Sequence, residues 1–238
     1  MALAVTRIGT EGPDTLRGTN GADTLIGKGG NDVLFALGGD NDHLLGEEGR
    51  DWLAGGDERR AQGGAKNLVG GPGNDGVVGG LGSNNVLGGS GNDFVNGDTG
   101  SDSVSGGGGR DFVDGARGAD RMLGGRGGDF LVEGPIDEAS RDTLTAGAGD
   151  DIIATDHVPA AKDVISCGGG FDRVIADRKD LVASDCERVR VVHGSEEEVR
   201  EQEDAFYGSL PPATREFFGF ENDFANFFDE QLAPDPFA

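Results

Sequence analysis

Aspartate recurs every nine residues along much of the chain, and this period constrains the fold more than any other feature of the sequence. In the regular stretches, glycines stand five and two residues before each position, and an aliphatic side chain or Met stands two residues after it. The repeating unit is therefore Gly-x-x-Gly-x-Asp-x-aliphatic-x. A short fixed period predicts a stack of equivalent turns rather than one globular core. The positions in register are Asp14, Asp23, Asp32, Asp75, Asn84, Asp93, Asp102, Asp111, Asp120 and Asp129.

The nine-residue register is interrupted between and after these stretches. Asp42 follows Asp32 by ten residues and has Asp40 where a glycine is expected, and residues 57–62 form an insertion before a weak repeat predicted at Asn67. The residues just before Asp142 (138–141) and Asp163 (159–162) include no glycine, so we expect these two units to keep the strand and lose the metal. Four further positions remain candidates: Asp42, Asp51, Asp151 and Asp172.

Each unit predicts one short strand and one tight turn. The x-aliphatic-x segment forms a strand with one side chain pointing inward. Glycine stands where the turn requires a positive φ or a close backbone approach. Two units complete a coil, so residues 18 apart stack at the spacing of adjacent strands, about 4.8 Å. The sequence therefore predicts an all-β fold, a parallel β-roll or β-solenoid, with one column of carboxylates along each edge.

Stacked carboxylates at this spacing require a counter-cation, and calcium fits best. Ca²⁺ accepts six to eight oxygen ligands in flexible geometry, whereas Mg²⁺ requires a tight octahedron. The three histidines are scattered, which disfavours transition metals. Backbone carbonyls beside the Asp side chains complete the expected ligand set. Each coil buries too few aliphatic side chains to offset the conformational entropy lost when its residues are ordered. We therefore expect folding to be coupled to the binding of several Ca²⁺ ions. The glycines expected at these sites are Gly70, Gly73, Gly88, Gly91, Gly106 and Gly109.

The stretches Gly88-Gly-Ser-Gly-Asn-Asp-Phe-Val-Asn96 and Gly70-Gly-Pro-Gly-Asn-Asp-Gly-Val-Val78 resemble the RTX, or haemolysin-type, calcium-binding nonapeptide. The resemblance covers residues 9–175 and implies a right-handed β-roll, secretion, and Ca²⁺ held by the turn Asp and backbone carbonyls. The segment from Cys167 to Val189 looks like the closing segment of secreted bacterial members. Where Asn67 and Asn84 replace Asp, the sites are expected to be weaker or empty.

The two cysteines, Cys167 and Cys186, follow the regular repeats. They could close one disulfide in an oxidising compartment, or they could remain unlinked thiols. We favour the disulfide because the rest of the chain is typical of an extracellular protein.

The sequence divides into three segments: an N-terminal stub at 1–8, a calcium-binding β-roll at 9–193, and an acidic, Phe-rich tail at 194–238. The stub contains Ala2-Leu3-Ala4, which matches the end of an export signal or is an ordinary chain start. The tail predicts a helical cap over the roll, a disordered tail, or a docking helix for a protein partner at 217–228. Its apolar stripe consists of Phe217, Phe220, Phe224 and Phe227.

The formal net charge of −24 argues against nucleic acids and anionic membranes as partners. The sequence has no run of about 18 apolar residues, so no membrane span is expected, and no catalytic motif, so we expect no enzyme activity. The favoured function is that of a stand-alone, secreted Ca²⁺-binding protein with a structural or cell-surface role. The alternatives are a C-terminal folding and secretion module of a larger exported enzyme or toxin, and an adhesin or ice-binding roll. The reading frame upstream of Met1 would separate the first two, whereas the mixed outward-facing residues disfavour the third.

Overall fold

The roll consists of two parallel β-sheets, each with ten strands, in a computed structural model that describes residues 3–56, 64–133, 140–155 and 161–192. The odd-numbered strands form one sheet and the even-numbered strands form the other, so the chain alternates between the sheets. The described part is all β and forms a β-solenoid of about nine turns. The all-β parallel roll predicted from the period is thereby confirmed.

The odd-numbered sheet is built mostly from six-residue strands. Its members are β1 (Thr6–Ile8), β3 (Thr24–Gly29), β5 (His43–Glu48), β7 (Asn67–Pro72), β9 (Asn85–Ser90), β11 (Ser103–Gly108), β13 (Arg121–Arg126), β15 (Thr143–Ala148), β17 (Val164–Gly169) and β19 (Leu181–Val182).

The even-numbered sheet is built from strands of three or four residues, as expected for an x-aliphatic-x segment. Its members are β2 (Thr15–Arg17), β4 (Val33–Phe35), β6 (Trp52–Ala54), β8 (Gly76–Val78), β10 (Phe94–Asn96), β12 (Phe112–Asp114), β14 (Phe130–Val132), β16 (Ile152–Thr155), β18 (Arg173–Ala176) and β20 (Arg188–Val191).

The register between neighbouring strands confirms that two units make one coil. Val95 pairs with Val113, and Val104 pairs with Met122, each 18 residues further along the chain. Where the sequence carries extra residues the strands still align, as in the pairing of Leu44 with Leu68. Insertions are therefore accommodated in the turns, while the strand stack continues through them.

The core is a double row of aliphatic side chains between the two sheets. From β3 to β18 each strand contributes its second residue, from Leu25 to Val174, and these residues are almost completely buried because the strand neighbours point to the opposite face. The fully buried members include Leu25, Leu34, Leu44, Leu53, Leu68, Val77, Val86, Val95, Val113, Leu131, Leu144, Ile153 and Ile165. Each sheet therefore contributes a single row of aliphatic side chains to the core.

The roll begins earlier than the sequence pattern predicted. Strand β1 lies inside the segment 1–8 that was assigned to a stub, and it pairs with β3 through Thr6 and Thr24. The prediction was wrong because no repeat motif precedes β1. The strand is aligned by the following coil, where Oδ1 of Asp23 accepts the backbone N–H of Val5 at 2.7 Å.

The chain divides into two parts, residues 1–193 and residues 194–238. The second part, including the predicted docking segment 217–228, lies outside the described residues. Among the described residues, no helix is long and apolar enough to cross a membrane.

Candidate metal centre

Two columns of acidic side chains run along the roll, one at the start of each sheet's strands. The even ladder precedes the even-numbered strands, and the odd ladder precedes the odd-numbered strands. From Asp23 to Asp172, every acid or amide in both ladders is at most 3% exposed. The even ladder contains Asp14, Asp32, Asp51, Asp75, Asp93, Asp111, Asp129, Asp151 and Asp172. The odd ladder contains Asp23, Asp42, Lys66, Asn84, Asp102, Asp120, Asp142, Asp163 and Asp180.

One carboxylate oxygen of each Asp has a structural role. The backbone N–H of Asp75 donates to Oδ1 of Asp93 at 2.8 Å, and that of Asp93 donates to Oδ1 of Asp111 at 2.9 Å. The same bond recurs along the even ladder, which ends where the Asp172 N–H donates to Glu187 Oε2 at 2.9 Å. Oδ1 therefore aligns successive coils.

The second carboxylate oxygen, Oδ2, is buried and accepts no hydrogen bond in most of these residues. Leaving a buried charged oxygen unsatisfied is costly, so each such atom requires a cation or a proton. Within the described ranges, this holds for Asp32, Asp42, Asp51, Asp75, Asp93, Asp102, Asp111, Asp129, Asp151, Asp163 and Asp172.

The first two units differ, because a threonine occupies the position after their first glycine. Oδ2 of Asp14 accepts hydrogen bonds from the backbone and side chain of Thr10, at 2.6 and 2.9 Å. Oδ2 of Asp23 accepts corresponding bonds from Thr19, at 2.5 and 3.1 Å. In these two units the protein itself therefore satisfies the oxygen that is unsatisfied in the later units.

The first glycine of each unit, here called the lead glycine, backs a space lined by oxygen atoms. A Cβ added to Gly88 would lie 2.6 Å from Asp93 Oδ2 and 2.7 Å from the carbonyl oxygen of Gly106. At Gly70 the corresponding distances, to Asp75 Oδ2 and the Gly88 carbonyl, are 2.5 and 2.6 Å. Glycine therefore allows a carboxylate oxygen and a carbonyl oxygen to come together beside its Cα, where any side chain would clash with both. Both oxygens are of the kind that Ca²⁺ binds.

The second glycine of the unit permits the coils to approach closely. Gly73, Gly91 and Gly109 have φ values of +154°, +127° and +133°, which L-residues rarely adopt. The six glycines predicted at the sites therefore fall into two groups: Gly70, Gly88 and Gly106 are lead glycines, and the other three shape the turn.

The ladders also perturb the ionisation of their carboxyl groups. Burial raises the pKa of Asp75, Asp93, Asp111, Asp129 and Asp151 to about 7, and hydrogen bonds from the preceding coil's backbone offset only part of this effect. The charge of the neighbouring Asp raises each pKa further. Near neutral pH, a metal ion would therefore compete with protons for these oxygens.

A comparison with protein families matches this pattern. The model of the RTX calcium-binding nonapeptide repeat (4 copies) matches residues 8–42, 38–58, 63–95, 96–131 and 136–156, which together make up more than half of the chain. The chain belongs to the RTX calcium-binding nonapeptide repeat family. It is a calcium-binding repeat protein. A comparison with curated proteins finds no match.

One RTX unit has a lysine in place of the ladder acid. Because Leu44 pairs with Leu68, the residue stacked on Asp42 is Lys66, not the predicted Asn67. The prediction at Asn67 was wrong because the insertion hides the register. Lys66 Nζ donates to the carbonyl oxygens of Leu81 at 2.9 Å and Gly64 at 3.3 Å. Burial lowers the pKa of Lys66, and the Asp42 charge opposes this shift.

The next residue of the odd ladder, Asn84, also binds carbonyl groups with its own side chain. Its Oδ1 accepts the backbone N–H of Lys66 at 3.1 Å, as an aspartate would. Its Nδ2 donates to the carbonyl oxygens of Gly80 at 2.9 Å and Gly82 at 3.1 Å. Lys66 and Asn84 thus use nitrogen donors to bind carbonyl oxygens in two adjacent coils.

Asp142 and Asp163 occupy regular ladder positions although their turns lack glycine. Asp120 N–H donates to Asp142 Oδ1 at 2.6 Å, and Asp142 N–H donates to Asp163 Oδ1 at 2.7 Å. The ladder continues to Asp180, whose Oδ1 accepts the Asp163 N–H at 3.1 Å. Asp180 does not match the repeat motif because glycine is missing five and two residues before it, although the aliphatic Val182 two residues later keeps the strand pattern.

The structure joins Cys167 and Cys186 in a disulfide with a Cα–Cα distance of 5.2 Å. Cys167 is fully buried and lies two residues after Ile165, at the end of the hydrophobic row. The disulfide therefore ties β17 to the segment that leads into β20.

Proposed function

We propose that this chain is a secreted RTX protein whose roll folds when Ca²⁺ binds along the two ladders, and that the folded roll has a structural or cell-surface role. The observation that carries the proposal is the set of buried Oδ2 atoms without a hydrogen-bond partner within the described ranges. In the regular units these oxygens lie beside a lead glycine, and a buried carboxylate there needs a positive charge or a proton.

The ions are proposed to bind where an unsatisfied Oδ2 and a lead-glycine carbonyl converge. The most regular sites lie between 70 and 132, and involve Asp75, Asp93, Asp102 and Asp111. Asp14 and Asp23 would bind more weakly because Thr10 and Thr19 already satisfy their second oxygen. Lys66 and Asn84 would exclude an ion from their positions because nitrogen donors contact the carbonyl oxygens there.

Coupling of folding to calcium follows from the narrow core and the buried charge. Each coil buries about two aliphatic side chains, whereas ordering its 18 residues costs backbone entropy at every position. Without cations, the acids of each ladder would also have to be protonated or remain buried as unpaired charges. Removing calcium at neutral pH is therefore expected to yield a self-repelling, unfolded polyanion.

A secreted location and a non-catalytic role complete the proposal. The disulfide is typical of oxidising compartments, and RTX repeats are typically structural rather than catalytic. Calcium at extracellular concentrations would suit sites with Kd values of about 10⁻⁴–10⁻³ M. Secretion is testable with an epitope-tagged full chain in its natural host: recovery from the medium supports it, and retention inside intact cells contradicts it.

Circular dichroism of the full chain during separate Ca²⁺ and Mg²⁺ titrations tests the coupling. Calcium should convert a coil spectrum to a β spectrum with a midpoint of about 10⁻⁴–10⁻³ M, whereas Mg²⁺ should have little effect. The double variant Asp102→Asn/Asp120→Asn removes two ladder carboxylates and should bind fewer Ca²⁺ ions per chain in equilibrium dialysis. A Glu47→Gln/Glu48→Gln control, which removes two exposed charges, should bind as many as the natural chain. A β spectrum that persists in excess chelator would rule out coupled folding.

A further inference from the structure

One lead position carries a glutamate, and its surroundings differ from those of every regular RTX unit described above. The backbone N–H of Gly115 donates to the Val132 carbonyl at 3.3 Å, and that of Glu133, one coil further, donates to the Ala154 carbonyl at 3.3 Å. Glu133 therefore stands directly after Gly115 in the stack. At Gly115 a Cβ would lie 2.8 Å from Asp120 Oδ2. At Glu133 a whole carboxylate side chain extends from the corresponding backbone position.

Glu133 meets the two ladder acids whose turns lack glycine. Carboxylate oxygens of Glu133, Asp142 and Asp163 all lie within 4.8 Å of one another. The side chains of Glu133, Asp142 and Asp163 are 7%, 3% and 0% exposed, so bulk water cannot solvate their charges. Three buried carboxylates at this separation cannot all be ionised without a counter-charge.

Asp163 supplies an independent indication that the cluster accepts a ligand. Its Oδ1 accepts the Asp142 N–H at 2.7 Å, whereas its Oδ2 is buried and accepts no hydrogen bond from the described residues. The group beside this carboxylate is the Glu133 carboxyl, which can donate a hydrogen bond only when protonated. A proton or a metal ion shared by these carboxylates would remove the repulsion between them.

The chemistry of the donors favours a hard divalent cation over other metals. All three groups are carboxylates, and Ca²⁺ prefers oxygen ligands of this kind. Oδ1 of Asp142 and of Asp163 already accepts a backbone N–H, so the ion would bind the second oxygen of each aspartate, one or both oxygens of Glu133, and water molecules that complete six to eight ligands.

We propose that Glu133, Asp142 and Asp163 form an additional calcium site, built from three carboxylates instead of the carboxylate and lead-glycine carbonyl of a regular RTX unit. This inference rests on the proposed function, because it assumes that the chain folds around Ca²⁺. The site would join three coils through side chains alone, at the point where insertions interrupt the glycine pattern. The Glu133 carboxylate would thus replace the carbonyl ligand that a lead glycine supplies in a regular unit.

Calcium stoichiometry of the full chain, measured by equilibrium dialysis, tests the proposal. Glu133→Gln keeps the side-chain shape and removes the charge, so it should bind about one Ca²⁺ fewer per chain than the natural protein. Glu47→Gln removes a charge from an exposed residue of β5 and should leave the stoichiometry unchanged. An unchanged stoichiometry in Glu133→Gln would show that the cluster holds a proton, and would overturn the proposal.

A second measurement keeps the test decisive if Glu133→Gln fails to fold. Crystals of the natural chain prepared with Tb³⁺ in place of Ca²⁺ should show an anomalous peak between the three carboxylates. Peaks along the regular ladders without one at Glu133 would overturn this inference and leave the proposed function intact. If the natural chain binds no calcium at all, the proposed function itself fails.

Discussion

Replacing Asp111 by asparagine should change stability in opposite directions with and without calcium. Asp111 is fully buried, its Oδ1 accepts the Asp93 N–H at 2.9 Å, and its Oδ2 has no hydrogen-bond partner among the described residues. Asparagine keeps the Oδ1 acceptor. Its NH₂ group can donate to turn carbonyls, as Asn84 does toward Gly80 at 2.9 Å. The substitution therefore replaces a cation-requiring group with a self-sufficient one.

The size of the metal-free effect follows from the ionisation of Asp111. Burial raises the pKa of this carboxyl from 3.8 to about 7. At about 1.36 kcal/mol per pKa unit, holding it ionised at pH 8 destabilises the roll by about 4 kcal/mol. Solvent screening reduces this to about 2 kcal/mol, so Asp111→Asn should stabilise the metal-free roll by that amount. In saturating calcium the same variant loses a ligand and should be less stable than the natural protein.

The assay is folding of the full chain followed by far-ultraviolet circular dichroism at pH 8. In chelator, the osmolyte TMAO favours the folded state, and Asp111→Asn should fold at a lower TMAO concentration than the natural chain. In calcium, its thermal midpoint should be lower. Asp111→Ala is the control. It leaves the Asp93 N–H without its acceptor, so it should destabilise the folded roll both in chelator and in calcium. Equal destabilisation by Asn and Ala under both conditions would refute the assigned role of Oδ2.

Three further predictions concern pH, Lys66 and the disulfide. In chelator, the β signal should grow as the pH falls from about 8 to 5. The folded roll raises the pKa of the even-ladder carboxyls from 3.8 to about 7, so their protonation favours the folded state. This contribution to folding stability is complete below about pH 3.8 and is lost as the pH rises through about 7. High salt at pH 8 should not reproduce this growth if the buried carboxylates are responsible. Lys66→Met should destabilise the roll by about 1–3 kcal/mol at every calcium concentration, because the carbonyl oxygens of Leu81 and Gly64 lose their Nζ donor. Lys66→Asp should be destabilising only in chelator, because calcium would bind its carboxylate. Denaturant titrations that show the same loss for both variants would contradict this. Replacing both cysteines by serine should lower the stability of the calcium-loaded form by about 3 kcal/mol, since the disulfide closes a loop with a separation of 19 residues, and an unchanged thermal midpoint would count against a stabilising role.

The period of the sequence was sufficient to predict the stack itself. Because the units of the regular stretches have the same length and the same glycine positions, residues 18 apart there must meet, as Val95 and Val113 do. The burial of the aliphatic rows and the pairing of neighbouring acids follow from the same regularity. Local repetition thus determines long-range contacts in a solenoid, which is rare in globular folds.

Features without the motif could not be predicted in the same way. Lys66 was missed because the inserted residues conceal which side chain stacks on Asp42. The cluster at Glu133 was missed because it combines side chains from three coils, and the residues just before Asp142 and Asp163 lack the glycines that mark the other sites. Strand β1 was missed because its alignment comes from Asp23 in the following coil rather than from a preceding acid. In each case the information lies in contacts between coils.

Hydrogen exchange of the full chain, followed by mass spectrometry in calcium and in chelator at pH 7.5, tests most directly whether calcium on the ladders holds the roll together. Peptides from 70–132, where lead glycines and unsatisfied Oδ2 atoms alternate, should be strongly protected in calcium and should exchange like an unfolded chain in chelator. Equal protection of this block under both conditions would show that the roll is stable without ions, and would contradict calcium-coupled folding.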